Sequence, residues 1–105
     1  MSDKKNKLHF STKSIHVGNK IDETGAVVTP IHFTSTFRQP SFASTEKYVY
    51  SRVGSPTLSA LEENLAMLEN AKYAYAFASG MAAMTAIFMM FKPGDHVLIS
   101  RNVYG

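Results

Sequence analysis

The pattern of hydrophobic and polar positions changes at about residue 48. Residues 1–47 show no sustained period, are rich in Ser and Thr, and are punctuated by Gly and Pro, which predicts an extended amino-terminal arm. The β-branched and aromatic stretch at 24–37 contains Pro30, which favours an edge segment or a loop over a central strand. Residues 48–105 contain periodic apolar segments, which predicts that a domain begins after the arm.

A helix is predicted to begin after Ser55, a good capping residue, with Pro56 at the first helical position. Residues 70–72 (NAK) are expected to end it. The apolar stripe of this helix recurs every three or four residues and comprises Leu58, Leu61, Leu65 and Leu68. The stripe indicates that one face of the helix needs another apolar surface to cover it.

A strand, a helix and a second strand are predicted next. Residues 73–77 (YAYAF) and 96–100 (HVLIS) are short apolar runs typical of strands, and residues 80–91 between them are rich in the helix formers Ala and Met. Such a βαβ unit has parallel strands and a right-handed crossover, so the fold class is α/β. The turn at 78–80 and Tyr104 would then face one crevice, the usual ligand position in an open α/β sheet.

Residues 79–81 (SGM) are the first candidate site. The backbone N–H groups at a helix amino terminus attract phosphate, and Gly80 lets a phosphate approach the backbone closely. The same tripeptide also serves as an ordinary capping turn, and this alternative stays open. The chain carries neither the dinucleotide-binding nor the nucleoside-triphosphate fingerprint, which argues against those two ligand classes.

Arg52 and Tyr104 are the other candidates. Arg52 can bind a phosphate through two parallel hydrogen bonds, and Tyr50, two residues earlier on extended backbone, would point to the same side. The alternative is a surface arginine beside a core tyrosine. Tyr104 can stack on a flat heterocycle, although a partly buried aromatic at a strand end has the same sequence signature.

The composition indicates which class of protein and which kinds of partner to expect. The 105 residues, 45% hydrophobic and 18% charged, suit one globular domain at most. The net charge of +3 comes partly from lysines in a polar leader rather than from a basic face, so no nucleic-acid partner is expected. No run is long enough for a membrane span and the leader lacks the apolar core of a secretory signal, so no membrane partner is expected and the cytoplasm is the expected location.

Cysteine and histidine usage excludes two further kinds of chemistry. The chain has no cysteine, so it has neither a disulfide framework nor thiolate chemistry. Its four histidines show no metal-type spacing and no matching set of cysteines or carboxylates, so no metal site is expected.

Four segments together resemble the amino-terminal part of the trans-sulfuration enzymes, the Cys/Met-metabolism family that uses pyridoxal 5'-phosphate (PLP). They are GAVVTPIHFTSTF at 25–37, YSRVGSPTLSALEENLAMLE at 50–69, FASGMAAMTA at 77–86 and KPGDHVLISRNVYG at 92–105. The resemblance runs from about residue 11 to residue 105. It implies the aspartate-aminotransferase type of fold, with residues 48–105 as the start of the PLP-binding large domain.

The resemblance also implies a role for each candidate residue. Tyr50 and Arg52 match the pair that reaches across a subunit interface to the PLP phosphate of the neighbouring active site. Gly80 and Met81 match the residues whose backbone N–H groups bind the phosphate of the subunit's own PLP. Tyr104 matches the tyrosine that stacks over the pyridine ring and takes part in proton transfer. The implied assembly is a homotetramer.

The implied activity is the making or breaking of a carbon–sulfur bond by γ- or β-elimination or replacement, as in cystathionine gamma-lyase or gamma-synthase. Methionine gamma-lyase and O-acylhomoserine sulfhydrylase are the alternatives, with a sulfur amino acid or an O-acylhomoserine as substrate. Val49 stands where cystathionine-handling members often carry an acid that meets the distal ammonium of the substrate. Ser55 replaces the family's usual Asn before Pro-Thr, a mild change because both residues cap helices.

The resemblance places three essential groups in family segments beyond Gly105. They are the lysine that holds PLP covalently, the aspartate that pairs with its pyridine nitrogen, and the arginine that binds the substrate carboxylate. We therefore expect this chain alone to be inactive. A non-catalytic truncated product, persisting as a binding or interface fragment, is the alternative from a different functional class.

Overall fold

A computed structural model describes the protein over residues 8–43 and 46–104. Three helices form within these ranges: α1 (Phe10–His16), α2 (Pro56–Leu68) and α3 (Gly80–Phe88). No strand forms in the described residues, where β-type pairing is confined to an antiparallel bridge between Thr36 and Tyr50. Parts of the predicted arm at 1–7 and 44–45, and the last residue of the predicted domain, lie outside the described residues.

Helix α2 confirms the prediction made from its capping sequence. The hydroxyl of Ser55 accepts a hydrogen bond from the Leu58 N–H at 3.2 Å and so satisfies one of the donors that a helix start leaves unpaired. At the other end Asn70 adopts a left-handed conformation with φ of +53°, and the Ala71 N–H donates to the Ala66 carbonyl at 2.8 Å. This closing bond ends α2 just before the predicted boundary at 70–72.

Helix α3 begins where the sequence predicts and ends earlier. The Ser79 hydroxyl accepts a hydrogen bond from the Ala82 N–H at 3.1 Å, which fixes the first turn. The helix stops at Phe88, three residues before the predicted end at Phe91. Residues 89–91 continue as a turn rather than as regular helix.

Helix α1 corrects the prediction that residues 1–47 are extended throughout. It has only seven residues and no apolar period that would announce it. A helix this short is marginal by itself and depends on tertiary packing. It packs against α2, and Val17 just after it is buried, so a distant segment of the chain stabilises it.

The predicted βαβ unit is not confirmed, because only its helix is formed. Residues 73–77 and 96–100 are without strand pairing in the described structure, and most of their apolar side chains are exposed. A strand needs the N–H and C=O groups of a neighbour, and parallel strands need covered faces on both sides. One backbone group in the first segment is satisfied differently: the Ala76 N–H donates to a Glu62 carboxylate oxygen at 3.0 Å.

The described residues contain little core. Their buried members are Lys13, Val17, Gly18 and Ala66. The chain exposes 9504 Å², whereas a compact protein of 11.6 kDa exposes roughly 5,800 Å². Its radius of gyration of 17.7 Å likewise exceeds the value of about 13 Å expected for a compact domain of this length. The apolar faces of this structure therefore lack covering surface within the described residues.

Candidate functional site

The segment that carries Tyr50 is held by an antiparallel pairing with the arm. The Phe37 N–H donates to the Val49 carbonyl at 2.9 Å, and the Ser51 N–H donates to the Ser35 carbonyl at 2.8 Å. These two bonds flank Tyr50 and its bridge partner in the arm. The backbone at Tyr50 is thus fixed by residues far away in the sequence.

A side-chain amide supports the same pairing. The Gln39 amide nitrogen donates to the Phe37 carbonyl at 3.1 Å and to the Tyr48 carbonyl at 3.0 Å. The Phe37 and Tyr48 rings lie 5.7 Å apart between centroids, within the usual range for aromatic pairs. Nothing in the local sequence pattern signalled this support, because it depends on contacts across the loop.

Tyr50 and Arg52 form a contacting pair. An Arg52 guanidinium nitrogen (Nη2) donates to the Tyr50 hydroxyl at 3.0 Å, and the guanidinium carbon lies 4.9 Å from the Tyr50 ring centroid. The side chains meet as predicted, but through a turn rather than extended backbone, because the Val53 and Gly54 N–H groups both bond the Tyr50 carbonyl. Arg52 is exposed, so most of its five N–H donors remain directed toward solvent.

The amino terminus of α3 offers the second group of donors. Ser79 engages the Ala82 and Ala83 N–H groups through its side-chain and carbonyl oxygens. The N–H groups of Gly80 and Met81 belong to the first turn, which has no carbonyl partners within the helix. Apart from its chain neighbours and its own helix, a Cβ added at Gly80 would meet nothing within 4 Å, so no distant segment of the described chain crowds the backbone there.

Tyr104 is the third candidate group. Its side chain is 80% exposed. Within residues 8–43 and 46–104, no hydrogen bond or ring contact joins the Tyr50–Arg52 pair, the α3 amino terminus and Tyr104 to one another. In the described residues, the three groups therefore make no direct contact with one another, and each stays a separate candidate.

A cavity between the arm and α2 was not anticipated from the sequence. It has a volume of about 290 Å³, and Lys20, His32, Lys47 and Tyr48 are among its lining residues. Burial alone would raise the pKa of Tyr48, but hydrogen bonding to Ser59 and Lys47 and the positive charges of Lys47 and Lys20 together outweigh burial, so its pKa is lowered. The hydrogen bond to Tyr48 raises the pKa of Lys47 in turn.

Metal and membrane features were searched over the described residues. No group of three or more His, Cys, Asp or Glu side chains is placed there to hold a metal ion. Within the same residues, no helix combines the length and apolar character needed to cross a bilayer.

Comparison with known proteins identifies relatives over nearly the whole chain. A family model described as "Cys/Met metabolism PLP-dependent enzyme" matches residues 11–105. The chain is similar to a cystathionine gamma-lyase of Bacillus subtilis, with 48% identity over 90% of this chain and 25% of the relative. It is also similar to an L-methionine gamma-lyase of Pseudomonas deceptionensis, with 40% identity over 100% of this chain and 29% of the relative.

A solved structure matches in fold as well as in sequence. The crystal structure of metB from Corynebacterium glutamicum aligns with a TM-score of 0.79 and 48% identity, over 88% of this chain and 25% of that chain. The chain spans 25–30% of the length of the curated relatives that it matches. With the family model matching residues 11–105, the chain belongs to the Cys/Met-metabolism family of PLP-dependent enzymes.

Proposed function

We propose that this chain is the amino-terminal, phosphate-binding part of an enzyme of sulfur amino-acid metabolism that uses PLP to make or break a carbon–sulfur bond. The observation that carries the proposal is the family match over residues 11–105. The structure supplies two exposed donor groups of the kind that a phosphate needs, the Tyr50–Arg52 pair and the start of α3.

The Tyr50–Arg52 pair fits a phosphate chemically. A guanidinium presents a planar set of N–H donors that matches two phosphate oxygens. Because the Tyr50 hydroxyl accepts from Arg52 at 3.0 Å, its own hydrogen remains available to a second acceptor. The same contact holds the long Arg52 side chain in one orientation, which lowers the conformational entropy that binding must remove.

The amino terminus of α3 fits a phosphate through its backbone. The Gly80 and Met81 N–H groups point along the positive end of the helix dipole, and this attraction adds to that of the hydrogen bonds. No side chain of residue 80 stands in the way. We propose that this turn binds the phosphate of the subunit's own PLP and that Tyr50 and Arg52 serve the neighbouring subunit.

Tyr104 is proposed to contact the ring and the reacting atoms. Its exposed phenol can cover a flat heterocycle and can give or take a proton at its hydroxyl oxygen. PLP, when bound, supplies the electron sink for the carbanion of the substrate. Four further expectations stay predictions. They are the homotetrameric assembly, the cytoplasmic location, the boundary between arm and large domain after residue 47, and the completed βαβ unit.

Two substrate classes are proposed, with one observation to separate them. Relatives named for cystathionine and for methionine both match this chain. Val49, next to Tyr50, is apolar and 48% exposed, so it cannot pair with the distal ammonium of cystathionine. Cystathionine should therefore hold less advantage over methionine, homocysteine or an O-acylhomoserine than in members with an acid at this position.

The proposal is tested in a chimeric holoenzyme, in which residues 1–105 replace the matching segment of the Bacillus subtilis cystathionine gamma-lyase and PLP is loaded. Arg52→Ala should raise the dissociation constant of PLP by roughly 10- to 150-fold, the value of a hydrogen bond to a charged group. Arg52→Lys should recover only part of the loss, because one ammonium cannot replace the planar fork. The control is Arg38→Ala, which removes another exposed arginine. Equal PLP affinity in the Arg52 variants, the control and the parent would overturn the proposal.

A further inference from the structure

The arm follows α2 and then pairs with the segment that carries Tyr50. Helix α1 packs against α2, and residues 30–32 contact the first turn of α2. Residues 35–37 then pair with residues 49–51. The position of Tyr50 and Arg52 therefore depends on where the arm is anchored along α2.

Asn64 is the first anchor. From the middle of α2, its side-chain amide nitrogen donates to three arm carbonyls, those of Lys13 at 3.2 Å, Ser14 at 3.4 Å and Val17 at 2.7 Å. The last carbonyls of a helix lack a full set of partners within it, so one amide satisfies acceptors at the end of α1. The contact explains how a seven-residue helix persists in the arm.

Thr57 is the second anchor. Its hydroxyl accepts the His32 N–H at 3.0 Å and donates to the Pro30 carbonyl at 3.3 Å. Thr57 lies in the first turn of α2, directly after the turn that contains Arg52. This anchor is thus the last fixed point of the arm before the bridge at Thr36 and Tyr50.

Other contacts between the arm and α2 contribute less. Glu63 accepts Lys20 at 3.1 Å and lies 3.9 Å from Lys47, but the side chains of Lys20 and Glu63 are 70% and 43% exposed. Exposed ion pairs of this kind contribute little to stability because water and salt screen them. The half-buried hydrogen bonds of Asn64 are screened less, and they join parts of the chain about 50 residues apart.

We propose that Asn64 and Thr57 are positioning residues for the binding of the PLP phosphate. They anchor the arm to α2, the arm fixes the backbone at Tyr50, and Tyr50 orients Arg52. Neither residue needs to touch PLP. The inference rests on the proposed function, because it assigns the two anchors to the same phosphate-binding pair.

The test measures PLP dissociation constants in the chimeric holoenzyme for Asn64→Ala, Arg52→Ala and the double variant. Asn64→Ala should weaken PLP binding by roughly 5- to 20-fold, the effect of losing one well-placed polar contact. The double variant should lose less PLP affinity than the sum of the two single losses, because Asn64 acts through the Tyr50–Arg52 pair and Arg52→Ala has already removed part of that pair. Glu69→Ala, at the exposed end of the same helix, is the control and should leave PLP binding unchanged.

A second pair of variants covers the case in which Asn64→Ala does not fold. Thr57→Val keeps the shape of the side chain and removes the hydroxyl, whereas Thr57→Ser keeps the hydroxyl. Thr57→Val should weaken PLP binding and shift the ³¹P resonance of the bound phosphate, and Thr57→Ser should restore both. In the enzyme without PLP, Thr57→Val should also speed proteolysis of the arm.

The outcomes separate the two proposals. If Arg52→Ala has no effect on PLP binding, the proposed function fails and the inference fails with it. If Arg52→Ala weakens binding but the loss from Asn64→Ala simply adds to it, or is absent, the inference alone is overturned. The inference is also overturned if Thr57→Val and Thr57→Ser leave the affinity and the ³¹P resonance equal to those of the parent.

Discussion

The region at 8–68 and the region at 71–104 differ in how they are held. In the first, the arm and α2 exchange hydrogen bonds through Asn64 and Thr57, and Gln39 supports the pairing of the arm with the segment before α2. All three buried side chains of the described structure, those of Val17, Ala66 and Lys13, belong to it. In the second, α3 has no buried residue, and its flanking apolar segments are largely exposed.

The difference follows from the chemistry of each region. A polar anchor needs only one well-placed partner, and the first region contains both members of each pair. An apolar helix with flanking strands needs whole surfaces on its two sides, and the described residues do not provide them. Even α2 keeps Leu61 and Leu65 half-exposed, so it too needs an apolar partner beyond the arm.

The largest expected difference between the two regions is in the rate of amide hydrogen exchange. In the 105-residue chain we expect the amides of 73–104 to exchange with little protection, and those of α2 facing the arm to be slower. In the chimeric holoenzyme, covering surfaces should slow exchange in residues 73–77, 80–88 and 96–100 by roughly 100-fold or more, as expected for elements that join a cooperative core. Mass spectrometry of peptic peptides measures both.

The protection pattern also tests the predicted strands. Slowed exchange at 73–77 and 96–100 in the chimera would support the βαβ unit as part of the complete fold. Equal and fast exchange in the chain and in the chimera would contradict both the unit and the idea that these segments lack only covering surface.

The next largest effect is expected from substituting a glycine that contacts α2. Gly18 has φ of +86°, and a Cβ there would overlap the Ala60 carbonyl oxygen on α2. Gly18→Ala in the chimera should therefore lower the local opening free energy of α1 by roughly 2–4 kcal/mol, because strain and steric overlap combine. Gly25→Ala is a matched control, with φ of +72° and no atom within 4 Å of the added Cβ.

Gly25→Ala should cost about 1 kcal/mol, the strain of a left-handed alanine alone. The rates of amide exchange in α1 measure both variants. Equal costs at the two glycines would show that the contact of Gly18 with α2 does not hold the arm.

Structure that depends on residues adjacent in the sequence could be predicted. The Ser55 and Ser79 caps and the starts of α2 and α3 follow from local hydrogen bonding. Helix α1 could not be predicted in this way, because a short helix in the arm is stabilised by Asn64 about 50 residues away. The strands stayed unconfirmed for the same reason, since their partners are not set by local sequence.

The candidate site departs from this division in one place. The sequence predicts that Tyr50 and Arg52 point to the same side from extended backbone, and their side chains do meet. The extended backbone is wrong, because the Val53 and Gly54 N–H groups close a turn on the Tyr50 carbonyl, although these bonds are local in the sequence. The sequence signal of the arm's docking was an Asn at position 64, next to the apolar stripe of α2; its half-burial is seen only in the structure.

Specificity should respond to Val49, whose backbone is fixed by the bond from Phe37. In the chimera, Val49→Glu should raise the preference for cystathionine over methionine by roughly 10- to 100-fold in kcat/KM, if the new carboxylate pairs with the distal ammonium. Val53→Glu, which adds the same charge at an exposed valine on the adjacent turn, is the control. An unchanged ratio in Val49→Glu would place specificity outside this chain.

The smallest expected effect concerns the titration of Tyr48 in the cavity between the arm and α2. Burial opposes ionisation, but hydrogen bonding to Ser59 and Lys47 and the charges of Lys47 and Lys20 together favour the phenolate and lower the pKa. Because the folded pKa lies below the unfolded value of about 10, the ionised form stabilises the folded state. This contribution is fully present above the unfolded pKa and is lost as the pH falls through the folded pKa, so it is absent at neutral pH.

In the chimera, the ¹³Cζ resonance of Tyr48 should titrate at lower pH than in the urea-unfolded chain, and Ser59→Ala should move the midpoint upward. A midpoint that Ser59→Ala leaves unchanged would show that the Ser59 hydroxyl does not stabilise the phenolate of Tyr48.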